Sequence, residues 1–244
     1  MMFKMMRKEL KELFASPLIY ILCGLFSILM GWLFFNYLVV AQQVGQGTLT
    51  DVVMRPIFGN MNFVFLFFAP LLTMHLIAEE KRQHTLELLF MSKLSDWNII
   101  LGKFLAAWIS GLFLLSITLV FPITMGFSGL KEWGIVLTNY WAISMALGAY
   151  LSVGLFASSI SENMIVAAVL AFCFLLAMML LALSGQASQN DILTGFLQYF
   201  SIAIHYEPAS RGAIRSPDIV YYISMIFFFL FLSTQALHYR RWWS

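Results

Sequence analysis

Chemistry needs convergent polar groups, and this chain concentrates them in one stretch, Glu79 to Lys103, written EEKRQHTLELLFMSKLSDWNIILGK. Glu79 and Arg82 stand three residues apart, so they can pair across one turn of a helix. Leu86, Leu89 and Phe90 recur at the spacing of one helical face, which predicts a short amphipathic helix whose apolar side needs a cover. The stretch is where the chain addresses water or a soluble partner, because long apolar runs flank it on both sides. As a solvated loop its surface ion pairs contribute only about 0–1 kcal/mol each, and the pattern alone leaves a solvated loop and a docking surface equally open.

Other constellations are missing. There is no G-x-x-x-x-G-K-[ST]: the one Gly-Lys, Gly102-Lys103, has Trp97 at the required Gly position and Phe104 behind it. ATP hydrolysis is therefore expected on another chain. His75, His84, His205 and His238 fall on different segments without ligand spacing, which speaks against an intramembrane enzyme or a metal centre. An ion-driven carrier would place Asp, Glu, Lys or Arg inside its spans, and the sequence reads as having none between the interfaces. His75 reads as a hydrogen-bonded interfacial residue and Asn36 and Asn139 as helix–helix glue. Cys23 and Cys173 read as small buried residues within spans.

What must hold the charged stretch is a membrane bundle. The chain of 244 residues is 61% hydrophobic and 11% charged, with apolar runs long enough to cross a hydrocarbon layer of roughly 30 Å as helices. The predicted fold class is all-α, a polytopic membrane protein with six transmembrane helices. Spans are expected over 18–41, 57–78, 103–125, 134–157, 164–183 and 219–237, with Pro70 and Pro122 kinking two of them. Ser95 is the expected cap of the third helix, with Asp96 in its first turn. Residues 1–17 alternate apolar Phe3, Met6, Leu10 and Leu13 with Lys4, Arg7, Lys8, Glu9 and Lys11, the pattern of a helix lying on a membrane surface. Gln42 to Pro56 reads as a loop. Ser184 to Pro217 is too long for a bare connection and too polar to cross twice, so it is expected to form re-entrant or interfacial helices.

Lys and Arg set the orientation. With six spans, Lys4, Arg7, Lys8, Lys11, Lys81, Arg82, Lys93, Lys103, Arg240 and Arg241 share one side; Arg55, Lys131, Arg211 and Arg215 take the other. The termini and the charged stretch are thus expected to be cytoplasmic, and Ser184–Pro217 periplasmic.

The order of residues in EEKRQHTLELL followed by LSDWNIILGKFLA resembles the loop between the second and third spans of ABC-2 type exporter permeases. Weaker similarity over the whole chain is closest to gliding-motility and nitrous-oxide-reductase-maturation permeases. Two departures stand out: His84 replaces the family's usual Gly, and Lys93 a common Pro. The resemblance implies one permease domain over 1–244, with an elbow helix at 1–17, a cytoplasmic coupling helix in 79–103 and a periplasmic segment at 184–217. By position it assigns ATPase coupling to Glu79, Glu80, Arg82, Thr85, Glu87, Leu88 and Leu89, with Glu162 in a second, smaller contact. Gly102 and Lys103 also match the family order. The implied partners are an ABC ATPase subunit carrying ATP and Mg, a second permease copy or paralogue, and the lipid bilayer of the bacterial inner membrane; no nucleic acid and no cofactor on this chain are expected. Export is the function so implied, with transmission of ATP-driven force to a periplasmic partner as the alternative.

Overall fold

The computed structural model describes residues 2–44, 48–83, 85–86, 95–187 and 199–241. It is all-α, with no strand among those residues, and six of its helices are long and apolar enough to cross a membrane. After α1 (Met2–Ala15), Ser16 and Pro17 break the helix and α2 (Pro17–Val44) makes the first span. A π-helical turn, Thr50–Met54, runs directly into α3 (Arg55–Thr73), and α4 (His75–Arg82) completes the second. Next come α5 (Asp96–Ile117) with its continuation α6 (Val120–Phe127), then α7 (Trp133–Ile160) and α8 (Met164–Ala187). The short α9 (Ile202–Ser210) precedes α10 (Ser216–Arg241). Six crossings put both chain ends at one end of the bundle, which we call the termini end.

Lipid is as apolar as leucine, so helices associate in it through close packing and internal hydrogen bonds rather than by hiding from water. That explains why α7 is central. Its inward residues include Ala142, Ala146, Gly148, Ala149, Ser152, Gly154 and Ala157, all small, and it packs against α3, α8, α9 and α10. A Cβ on Gly154 would overlap Thr73 Oγ1, so glycine is what lets α3 and α7 approach there. The apolar window of α7 is 78% buried, against 22% in α2 and 17% in α8, which form the rim.

Both intraspan prolines mark helix breaks. The helix after Pro70 is interrupted at Met74, and the break before Pro122 falls at Thr118–Leu119. Several local expectations are corrected. The Gln42–Pro56 loop is helical from Thr50, with Val53 and Met54 buried, because this stretch is apolar enough to extend α3 outward. Asn36 joins no helices: its amide donates to Trp32 O of its own turn at 2.8 Å, on an exposed face. Cys173 is exposed and Cys23 half-buried, since both sit on rim helices. Of Ser184–Pro217, the residues to Ala187 continue α8, α9 follows from Ile202 and α10 starts at Ser216, while Ile192, Phe196 and Leu197 lie outside the described residues.

Candidate coupling site

The third span starts as its sequence suggests: Ser95 Oγ accepts from Asn98 N at 3.4 Å, and Asp96 occupies the first turn. Because the helix begins there, Lys103 lies seven residues further in, about 10 Å along the axis, rather than at its mouth. It is 1% exposed, so its charge lies inside the bundle. A lone ammonium at that depth is costly unless paired. Lys103 Nζ meets three oxygens: Glu9 Oε1 at 2.9 Å, Glu80 Oε1 at 2.8 Å and Leu76 O at 2.7 Å. All three donor hydrogens of an ammonium are thereby used.

Glu9 comes from α1, so the helix expected to float on the membrane surface with Glu9 outward instead turns it inward, 4% exposed. Gly102 makes that possible. A Cβ there would stand 3.0 Å from Met5 Cγ and 3.1 Å from Met5 Cβ, so the absent side chain is where α1 rests on α5. Burial pushes the Glu9 carboxyl above its ordinary 4.5. The ammonium beside it pulls the other way but is outweighed by that burial, with Glu80 nearby adding repulsion.

Around this triad lies a polar cavity of about 330 Å³, lined among others by His75, Glu79, Glu80, Glu12 and Lys8. The second oxygens of Glu79 and Glu80 and His75 Nδ1 are buried without a partner among the described residues. His75 was expected to be hydrogen-bonded, but at the start of α4 its Nδ1 meets no partner among the described residues. Among the described residues no group of three His, Cys, Asp or Glu is disposed to hold a metal ion.

The remaining sequence-predicted residues divide by exposure. Glu79, half-buried, pairs with Arg82 Nη2 at 2.9 Å, and Arg82, 60% exposed, faces outward from the end of α4. Lys81 and Arg82 in the last turn suit the negative end of the helix dipole. Thr85 is exposed and its backbone N–H donates to Glu80 O at 3.0 Å, folding the chain back over α4. Leu86 is 4% exposed and belongs to the core. Glu87, Leu88 and Leu89, with His84 and Lys93, lie outside the described residues.

Glu162, in the turn after α7, is paired with Arg240 Nη1 of α10 at 2.8 Å. The last turn of α7 itself grips α4. Ser158 Oγ accepts from Ile77 N at 3.2 Å and Ala78 N at 3.1 Å and donates to Met74 O at 3.1 Å, filling the gap left at the Met74 break. Lys81 Nζ donates to Ser159 O beside it. Thus Glu79, Glu80, Arg82, Thr85 and Glu162 gather at the termini end, around α4. Glu9 and Ser158 were missed as partners because each is hundreds of atoms away in sequence; the one cue was a glutamate on the helical face otherwise built from Met5 and Leu13.

The family model described as ABC-2 family transporter protein matches residues 50–234. The match takes in the Glu79–Lys103 stretch and Glu162 but stops short of Glu9 and the first span. No curated protein matches. A six-helix membrane bundle matched by the family model over most of its length has one reading at this level: the chain is a multi-pass membrane protein of the ABC-2 transporter family.

Proposed function

We propose that the chain is the permease subunit of an ATP-binding cassette exporter, acting as a dimer with a second copy or a close paralogue. Separate ATPase subunits supply ATP and Mg. It sits in the bacterial inner membrane with both termini cytoplasmic, the side favoured by the Lys and Arg bias. Glu79 and Arg82 meet the ATPase directly, in company with Thr85, Glu87, Leu88 and Leu89, and Glu162 forms the smaller second contact. Glu80 has a different part. Facing inward, it carries displacement of the docking segment to Lys103 and Glu9.

The observation that supports this most is the division of partners within α4: half-buried Glu79 pairs with Arg82, which is 60% exposed, whereas half-buried Glu80 beside it is bonded to Lys103 in the third span, which also holds Glu9 of α1. An exposed pair contributes little to stability, whereas a charge-assisted contact buried on docking is worth roughly 2–5 kcal/mol when truncated. The test is co-purification with the cognate ATPase, and its hydrolysis rate, for Glu79→Arg, Arg82→Glu and the two combined. Loss in the singles without rescue in the combination is expected for docking. Rescue by the swap would mean that the pair only braces its own helix, and wild-type behaviour throughout would refute the assignment. Cysteines placed at Ser92 and Gln186 should label from opposite sides of the membrane.

A further inference from the structure

A cavity of about 180 Å³ opens between α3, α7, α8 and α9 in the half of the bundle away from the termini. Its walls are chiefly apolar, with Phe63, Leu175 and Met179 among them, and one end carries the amide of Asn62 beside the phenol of Tyr150. Asn62 is 8% exposed. Its Oδ1 accepts from Tyr150 Oη at 3.0 Å, while its Nδ2 has no acceptor among the described residues. The second span runs as helix from Thr50 to Arg82, so Asn62 lies about 6 Å from its midpoint, within the hydrocarbon layer. An amide N–H₂ there, with no bulk water to turn to, calls for an acceptor.

We propose that this cavity binds an acyl chain of a bilayer glycerolipid, with the ester carbonyl accepting from Asn62 Nδ2 and the first carbons of the chain against Phe63, Leu175 and Met179. Three features select this occupant. No charged side chain lines the cavity, so an ion would enter without a counter-charge. The space equals the liquid share of about six waters, yet its walls are chiefly apolar, and the two lining phenols, Tyr150 and Tyr206, already donate to Asn62 Oδ1 and Asn139 Oδ1, which leaves the Asn62 amide as the donor for one acceptor joined to an apolar tail. And Phe63, which lines the mouth, is 46% exposed on the outer surface of a span, where lipid is the neighbour. The site does not depend on the exporter reading above.

Gly59 offers a clean test. It is exposed at the mouth, and a Cβ built on it meets nothing within 4 Å, so Gly59→Leu blocks entry without a clash inside the bundle. The purified full chain is placed in phosphatidylcholine nanodiscs containing a small fraction of lipid with a diazirine near the ester end of one chain. After irradiation, cross-linked peptides are mapped and counted. The wild type should label on α3 and α8; Asn62→Leu should reduce that labelling about fivefold, the ratio given by one hydrogen bond of ordinary net strength, and Gly59→Leu, which closes the mouth, should reduce it at least as far. An ether-linked probe, which lacks the carbonyl, should label as weakly as the variants do with the ester. Equal labelling of wild type and Gly59→Leu would overturn the site and leave it a water pocket, and equal labelling by ester and ether probes would overturn the carbonyl contact. Melting curves of the two variants exclude unfolding as the cause, and Gly59→Leu alone suffices if Asn62→Leu does not fold.

Discussion

The two ends of the bundle solve the same problem with different chemistry. At the termini end, one ammonium is shared by two carboxylates and a carbonyl, all within 2.9 Å of Lys103 Nζ. At the far end the buried polar groups are mostly neutral. Tyr206 Oη donates to Asn139 Oδ1 at 2.7 Å, and Asn139 Nδ2 donates to Ile135 O and Ala209 O, joining α7 to α9. His205 lies there too, between Asp218 Oδ1 at 2.7 Å and Tyr199 O at 3.0 Å and stacked on Tyr221. Neutral pairs can each be lost at modest cost. An ion cluster cannot lose its centre without stranding like charges, so it makes the termini end the stiffer joint.

The largest effect that would separate the ends is therefore at Lys103. Lys103→Ala should destabilise the purified protein by about 3–5 kcal/mol, since it leaves Glu9 and Glu80 buried without their cation. Replacing the whole set, Lys103→Met with Glu9→Gln and Glu80→Gln, should recover most of that loss, because neutral groups do not require a partner charge. A triple variant no better than the single would show that packing, not charge, holds this joint. At the far end Tyr206→Phe should cost less, about 1–3 kcal/mol, by leaving Asn139 Oδ1 unpaired. Both are read from melting curves in one detergent.

Sensitivity to pH sharpens the contrast further. Burial raises the Glu9 carboxyl, so the fold favours its protonated form. Its contribution is fully present below the ordinary value of 4.5 and falls away as pH rises through the higher folded value. Glu9→Gln, which imitates the protonated acid, should flatten that part of the melting-temperature profile and leave the variant the more stable at the upper end. An unchanged slope would mean another group is responsible. The smallest effect belongs to Arg82→Ala, about 0–1 kcal/mol on stability, because Arg82 is mostly in solvent.

Much of the architecture was legible because its signals are local. Apolar run length announced six spans, Pro70 and Pro122 announced the breaks, and Ser95 announced the start of α5. The Glu79–Arg82 pair was legible for the same reason, a separation of one turn. What stayed hidden is long-range. Lys103 was readable as a charge two turns into the third helix, but its burial against α1 and α4 rests on contacts between distant segments. Glu9 is 94 residues from Lys103, and its place on the Met5–Leu13 face marks it as turned inward without telling which cation it meets. Asn139 was readable as glue, but its twin Asn36 was not distinguishable from it by residue type; only the rim position of α2 separates them.

The hydroxyl of Ser158 sits where the second span is broken, and its consequence is kinematic. A break at Met74 would by itself be a free swivel between α3 and α4. With Ser158 bonded to Met74 O, Ile77 N and Ala78 N, and Lys81 fastened to Ser159, α4 is bolted to the end of α7 instead. Any torque applied to the Glu79–Arg82 corner is then delivered to the axle of the bundle, the helix that α3, α8, α9 and α10 all touch, and not to the span of which α4 is nominally a part.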